Sequence, residues 1–276
     1  MPYVLETCLH EIYTDTGWDL ASGLNSRLGA ADYAATAQWP IFPTLDDLYH
    51  KFDEVVDQLG YEDRIAMDVK AGLKARVGSL MLGSKGLMLK AGTVVDATLI
   101  SAPSSTKNAT GERDPEMHQS KKGNQWFFGM KAHIGVDAES GLVHTVRSTA
   151  GHVNDVIEAN SLLHGDESDA FGDAGYQGVA KRPDAKPDVT WHVAMRPGRR
   201  KSLDLSSPLA ALIDKSQQIL AGIRAKVEHP FRVIKRQFGF TKVRYRGLKK
   251  NAAQVQTLFA LSNLWMARRK LMASAA

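Results

Sequence analysis

Two spacings of apolar residues divide the 276-residue chain. In the first third the clearest run is Thr44 to Leu59, where Leu48, Phe52, Val55, Val56 and Leu59 recur at the three- and four-residue steps of a helix with one apolar face. Thr44 stands at the N-cap, Asp46 and Asp47 fall in the first turn, and Gly60 follows the end. A weaker helix is predicted over Glu62 to Arg76. Glycines at 78, 83, 86 and 92 then interrupt any regular element, so a boundary is placed there, with a helical N-terminal segment over residues 1–85 and a second domain over 86–276.

From Thr93 the pattern becomes that of strands. Thr93 to Ile100 is β-branched and aliphatic, Phe127 to Asp137 alternates, and Leu142 to Ser148 follows the turn residues Glu139, Ser140 and Gly141. Next come a helix over Asn154 to Leu163, a short strand Ala170 to Asp173, a strand Val189 to Met195, and a long helical region from Ser207 onward. This order predicts an α/β fold with a mixed sheet, three antiparallel strands leading into parallel ones, flanked by helices. The Ser-, Lys-, Gly- and Pro-rich segments Ser101 to Asn124 and Arg196 to Ser206 are predicted to be loops.

A composition of 43% hydrophobic and 24% charged residues excludes collagen-like, coiled-coil and wholly disordered classes. Apolar stretches such as Leu258 to Ala267 are too short or too interrupted to span a membrane, and the first residues do not resemble a secretion signal. The single cysteine, Cys8, excludes an internal disulfide and any multi-cysteine metal site, which fits a reducing, cytoplasmic setting. The net charge of +5 conceals a gradient. Residues 1–100 hold 8 Lys+Arg against 14 Asp+Glu, whereas residues 217–276 hold 13 against 1. A polyanion would therefore bind the last sixty residues.

Three acids stand out against this background. Asp96 interrupts an otherwise apolar strand, where a carboxylate needs either solvent or a partner. Asp173 ends a short strand and opens into small residues, as a turn-capping or a site acid would. Glu228 is the only acid in the basic segment, on a helix that begins with Ser207 as N-cap and Pro208 at the first position. At about 100° per residue, Arg224, Arg232 and Lys235 fall within about 40° of Glu228. Leu220, Ile223, Val227, Phe231, Ile234 and Phe238 form an adjacent apolar stripe. Pro230 predicts a kink or restart, which leaves the phase of Arg224 open. Three convergent carboxylates suit Mg²⁺ or Mn²⁺, hard ions that take oxygen ligands and can activate a nucleophile for phosphoryl transfer. Neighbouring Lys and Arg would hold the phosphodiester backbone. The pattern reads as a metal-dependent nuclease or strand transferase, with surface ion pairs on an ordinary amphipathic helix as the alternative.

Four stretches in order resemble the DDE transposases of bacterial insertion sequences, in particular the group named after insertion sequence five. They are Thr93 to Leu99 (TVVDATL), Lys122 to Asp137 (KGNQWFFGMKAHIGVD), Phe171 to Gly178 (FGDAGYQG) and Ala225 to Gly239 (AKVEHPFRVIKRQFG). The resemblance runs from about Lys85 to Arg269. It implies an RNase H-like fold, with Asp96, Asp173 and Glu228 as catalytic triad and metal ligands. It also implies Mg²⁺-dependent cleavage at the element's terminal inverted repeats, with Mn²⁺ as substitute, and transfer of the 3′-hydroxyl into target DNA. The implied partners are double-stranded DNA at the bacterial nucleoid and further copies of the chain. A related signature places Tyr, Arg, Glu and Lys on the last helix. Arg224, Glu228 and Lys235 match it, while Ala221 stands at the Tyr position. Residues before Lys85 do not match the helical domain that such proteins carry. An inactive remnant that only binds DNA, and a hydrolytic nuclease on the same fold, remain alternatives.

Other residues carry weaker signals. Lys131 and His133, on the strand beside the one carrying Asp96, are candidates to approach the scissile phosphate, with packing or surface roles as the alternative. His118, His133, His144, His152 and His164 lack the close spacing of a zinc site. Asn154 is expected to cap a helix. Trp126, Phe127 and Phe128 are expected to pack in the core, with stacking on a base as the alternative, and Trp191 and Trp265 are expected in the core. No phosphate-cradling loop and no nucleophile elbow occurs.

Overall fold

The computed structural model describes residues 82–83, 86–88, 92–108 and 111–273. All of these belong to the second of two units, Met1–Leu80 and Met81–Ala276. The helices expected over Thr44 to Leu59 and Glu62 to Arg76 lie outside the described residues. No helix among the described residues is long and apolar enough to cross a membrane.

The β-branched run forms β1 (Gly92–Ser101). A hairpin of β2 (His118–Lys122) and β3 (Gln125–Asp137) follows, then β4 (Val143–Ala150). Asn154 caps α1 (Asp155–Glu158), its side chain accepting from the Val156 N–H, and a 3-10 turn, Ala159–Leu162, continues it. Then come β5 (Asp169–Gly172), two 3-10 turns, Ala174–Tyr176 and Val179–Lys181, and β6 (Thr190–Val193). The C-terminal part holds α2 (Pro197–Lys201) and α3 (Pro208–Arg224), a 3-10 turn Ala225–Val227, α4 (Glu228–Arg232), a π turn Val233–Gln237, and α5 (Leu248–Ala273).

These strands make one mixed six-stranded sheet. β1 lies between antiparallel β3 and parallel β5, and β6 extends the parallel side. The far edge of β3 is shared end to end by β2, paired over Gln125 to Gly129, and β4, paired from Met130 to Val136. Thus two predicted loops contain structure. β2 is exposed along most of its length and polar throughout, so no apolar alternation could announce it. Gly123, at φ +61°, makes its turn. The short helix α2 is likewise polar, with Pro197 at its start.

Alternation along the strands gives the sheet two packed faces. On one, Val94, Ile100, Met130, Ala132, Ile134 and Val136 meet Val227, Phe231, Ile234, Phe240, Val255 and Phe259 from the C-terminal helices and their connection. On the other, Val95 packs with Ala159, Leu162, Tyr176 and Val179. Asn263 ties α5 to the sheet, its side chain bonding both the N–H and the C=O of Val143 at 2.8 and 2.6 Å. The aromatic expectations divide. Phe128 and Trp191 pack against these cores, whereas Trp126 is 63% exposed and Trp265 40%. Trp126 lies on the part of β3 beyond Gly129, where β1 no longer pairs and only β2 adjoins.

Candidate active site

The parallel register of β1 and β5 brings the first two acids together. Val94 is level with Phe171, and the same offset continued two residues sets Asp96 level with Asp173. Asp96 shares its face with Val94 and Ile100, which pack under the C-terminal helices. Its Oδ1 accepts from the Ala97 N–H at 2.7 Å. Asp173 lies just past β5 and caps the following 3-10 turn, its Oδ1 accepting from the Gly175 N–H at 2.7 Å. A Cβ at Gly175 would stand 2.9 Å from that oxygen, so the turn needs glycine to hold the carboxylate where it is.

Glu228 comes from the other side of the cleft. Val227 and Phe231 are buried against the sheet, while Glu228, between them on the first turn of α4, is exposed. The kink expected at Pro230 is taken up by the 3-10 turn before Glu228 and the π turn after Arg232, which relieve the missing helical donor without ending the helix. Asp96, Asp173 and Glu228 line one open cleft of about 800 Å³ with Arg224, Arg232 and Lys235. Lys122 from β2 and Arg236 also line it, giving five cations against three carboxylates, with Thr98, His229 and Gln237 among the other wall residues. Lys235 Nζ donates to Thr98 Oγ1 at 2.5 Å, two residues from Asp96 on the same face of β1.

The electrostatics follow from burial. Asp96 is pushed up to about 7, mainly because its environment excludes water and further because the Asp173 and Glu228 charges face it; the Ala97 N–H and Arg224 oppose the shift. Burial and nearby Lys122 lower the pKa of Lys235, partly offset by Glu228. Burial, then Asp96, Asp155 and Asp173, keep the Tyr176 phenol protonated.

Lys131 does not line the cleft. It pairs across the sheet with Leu99, an odd number of residues from Asp96, and so projects from the opposite face. Its ammonium there meets the Val153 carbonyl at 2.7 Å and Asp155 at 2.8 Å. His133 is on that same opposite face, fully buried, with Nε2 2.8 Å from Thr149 Oγ1. Sequence reasoning missed Lys122 and Arg236 in turn. Lys122 sits in the polar edge strand, and Arg236 is about 80° from Glu228 on an ideal helix, outside the charged stripe. The i to i+5 turn at Val233–Gln237 advances less per residue and brings Arg236 to the cleft.

A family model described as a transposase DDE domain matches residues 88–264, more than half of the chain. The chain belongs to this transposase family. Asp96, Asp173, Glu228 and the cleft cations all lie within the matched span. A transposase DDE domain is an enzyme of the nuclease and transposase class that binds DNA and generally uses a divalent metal. No solved structure matches the chain.

The donor chemistry of this transposase's cleft fits such an ion. Three carboxylates face one space, and the charge of half-buried Asp96, disfavoured by its surroundings and by the Asp173 and Glu228 charges, would be balanced by a cation held among them. Among the described residues no three metal-ligand side chains are already grouped around one point, so the acids share a cleft and not a closed cage.

Proposed function

We propose that the protein is the transposase of a bacterial insertion sequence, cleaving DNA at the element's ends in Mg²⁺ and joining the 3′-hydroxyl to target DNA. In this reading residues 86–276 are an RNase H-like catalytic domain and Asp96, Asp173 and Glu228 are its triad. The observation that carries it is that Asp96 on β1, Asp173 just past the parallel neighbour β5, and Glu228 on α4 line one cleft together with five cations. The strand arrangement, with three antiparallel strands running into two parallel ones, supports the same fold.

Each side chain then has a task. Asp96, Asp173 and Glu228 would hold the divalent ions. Such ions, when bound, activate a water or 3′-hydroxyl and stabilise the leaving oxygen of an in-line transfer. The backbone N–H groups of Ala97 and Gly175 fix one oxygen of each strand acid. Arg224, Arg232, Lys235, Arg236 and Lys122 neutralise and orient phosphates along the cleft, and DNA docking there adds the negative charge that the five cations balance. Thr98 holds Lys235 beside Asp96. Lys131, committed to Asp155 on the opposite face, has no part in this.

The test is strand transfer with a duplex that ends in a preformed 3′-hydroxyl and carries a candidate terminal repeat, incubated with plasmid in Mg²⁺. A covalently joined product, absent with Asp96→Asn, is expected. Hydrolysis without joining would reduce the protein to a nuclease, and binding without either reaction would reduce it to a DNA-binding remnant.

A further inference from the structure

The segment that leads into Glu228 has little of its own to fix it. α3 buries none of its residues fully, and the 3-10 turn Ala225–Val227 that follows has no side-chain cap. Val227 and Phe231 pack into the core on either side of Glu228. Apolar contacts of this kind are non-directional, so they hold the segment down without fixing its position along the sheet. Directional bonds come from Lys226, inside the 3-10 turn and two residues before Glu228. Its ammonium donates to the carbonyls of Ala138 and Glu139 at 2.6 and 2.9 Å, in the turn that joins β3 to β4. That turn is itself braced. Buried Asp137 accepts through Oδ2 from both the N–H and the hydroxyl of Ser140, and the Gly141 N–H donates to the Asp137 carbonyl at 2.8 Å. The Ala138 N–H donates at 2.8 Å to the carbonyl of Gly92, the first residue of β1, the strand that carries Asp96. Gly141, at φ +73°, lies against the 3-10 turn, where a Cβ would stand 3.4 Å from both Lys226 Cβ and the Lys226 carbonyl oxygen.

We infer that Lys226 is the positioning residue for Glu228. It latches the turn before the acid to the braced β3–β4 turn, and through Ala138 and Gly92 to β1, so that the third carboxylate keeps its place opposite Asp96. A phosphate contact is the other role open to a lysine in so basic a segment, and the geometry argues against it. At about 100° to 120° per residue, Lys226 projects roughly 200° to 240° round the axis from Glu228. It does not line the cleft, whereas Arg224 and Arg232 do. Its ammonium is directed instead at two main-chain oxygens. A misplacement of about 1 Å is enough to degrade a reacting geometry, and removing a group that orients a metal ligand from behind lowers metal affinity by about tenfold or more. The inference rests on the reading of Glu228 as a metal ligand.

The experiment is urea unfolding of the full chain, without DNA, over a series of Mg²⁺ concentrations, for the wild type and for Lys226→Met, Lys226→Gln and Lys226→Arg. Methionine keeps most of the aliphatic stem and removes the donors, glutamine can still bond one carbonyl, and the arginine fork can bond both. Mg²⁺ should raise the wild-type midpoint. Lys226→Met should need roughly tenfold more Mg²⁺ for the same rise and Lys226→Arg no more than about threefold more, with Lys226→Gln between them. Should Lys226→Met not fold in EDTA, Lys226→Gln carries the comparison. A merely structural lysine would lower the midpoint in EDTA and leave the Mg²⁺ dependence as it is, and that result overturns the inference. So does a fall of about one in the slope of log DNA affinity against log salt for Lys226→Met, which would make Lys226 a phosphate contact. A wild type that Mg²⁺ leaves unmoved is a different failure, because it overturns the reading of the three acids as a metal site and the inference with it.

Discussion

Asp96→Asn isolates what the cleft does to a half-buried carboxylate. In the folded protein the group titrates at about 7, against its ordinary 3.8, because burial and the neighbouring acids disfavour its charge. The folded state therefore holds the proton more tightly than the unfolded chain does. Stability from this group is complete below the unfolded pKa and is lost as pH rises through 7. At 1.36 kcal/mol per pH unit, the charged carboxylate costs about 4 kcal/mol above pH 7. Asparagine has nearly the same shape and no charge, so Asp96→Asn should be more stable than the wild type by up to that amount at about pH 8. By about pH 5, where the folded wild type holds its proton, the advantage should shrink by roughly 2–3 kcal/mol. Water in the open cleft screens part of both figures. Urea denaturation in EDTA at the two pH values measures them. Mg²⁺ should restore the wild type at about pH 8 and leave the variant unmoved, since ligand binding to the folded state stabilises it. A variant that is less stable than the wild type at pH 8, or an advantage of equal size at both pH values, would refute the reasoning.

Lys131→Ala should leave DNA affinity unchanged and lower stability by about 1–2 kcal/mol, because it strips Asp155 and the Val153 carbonyl of a partner on the face away from the cleft; filter binding and a urea melt separate the two. Arg236→Ala should weaken binding of any duplex and reduce the slope of log affinity against log salt by about one, as for one lost phosphate contact. In Gly175→Ala the new methyl group meets Asp173 Oδ1 at 2.9 Å and must displace the carboxylate. Cleavage should fall by about tenfold or more while stability changes by about 1 kcal/mol or less, the reverse of what a purely structural glycine would give.

Sequence and structure agree most where local pattern and tertiary role coincide. The β-branched run around Asp96, the small residues after Asp173 and the lone acid of the basic segment each carry their own signal, and Arg224, Arg232 and Lys235 line the cleft beside them. What escaped depends on relations between distant segments. Whether Lys131 faces Asp96 or turns away is decided by strand parity, and the register that pairs it with Leu99 is set by packing across the sheet. The levelling of Asp96 with Asp173 likewise depends on the crossover between their strands. β2 is a polar edge strand whose hydrogen bonds to β3 make it a strand, with no burial to mark it. Arg236 reaches the cleft through a wide helical turn that an ideal wheel does not contain. Trp126, an aromatic expected in the core, is exposed because β3 outruns β1.

We propose above that Asp96, Asp173 and Glu228 form one metal-dependent DNA-cleaving site. Nicking of supercoiled plasmid carrying a candidate element end, in Mg²⁺ and in EDTA, with Glu228→Gln alongside, tests it most directly. Glu228 is exposed, so its replacement should leave the fold in place. The wild type should nick at the element end in Mg²⁺ alone, and the variant should not nick at all. Nicking that survives Glu228→Gln, or that persists in EDTA, would contradict it.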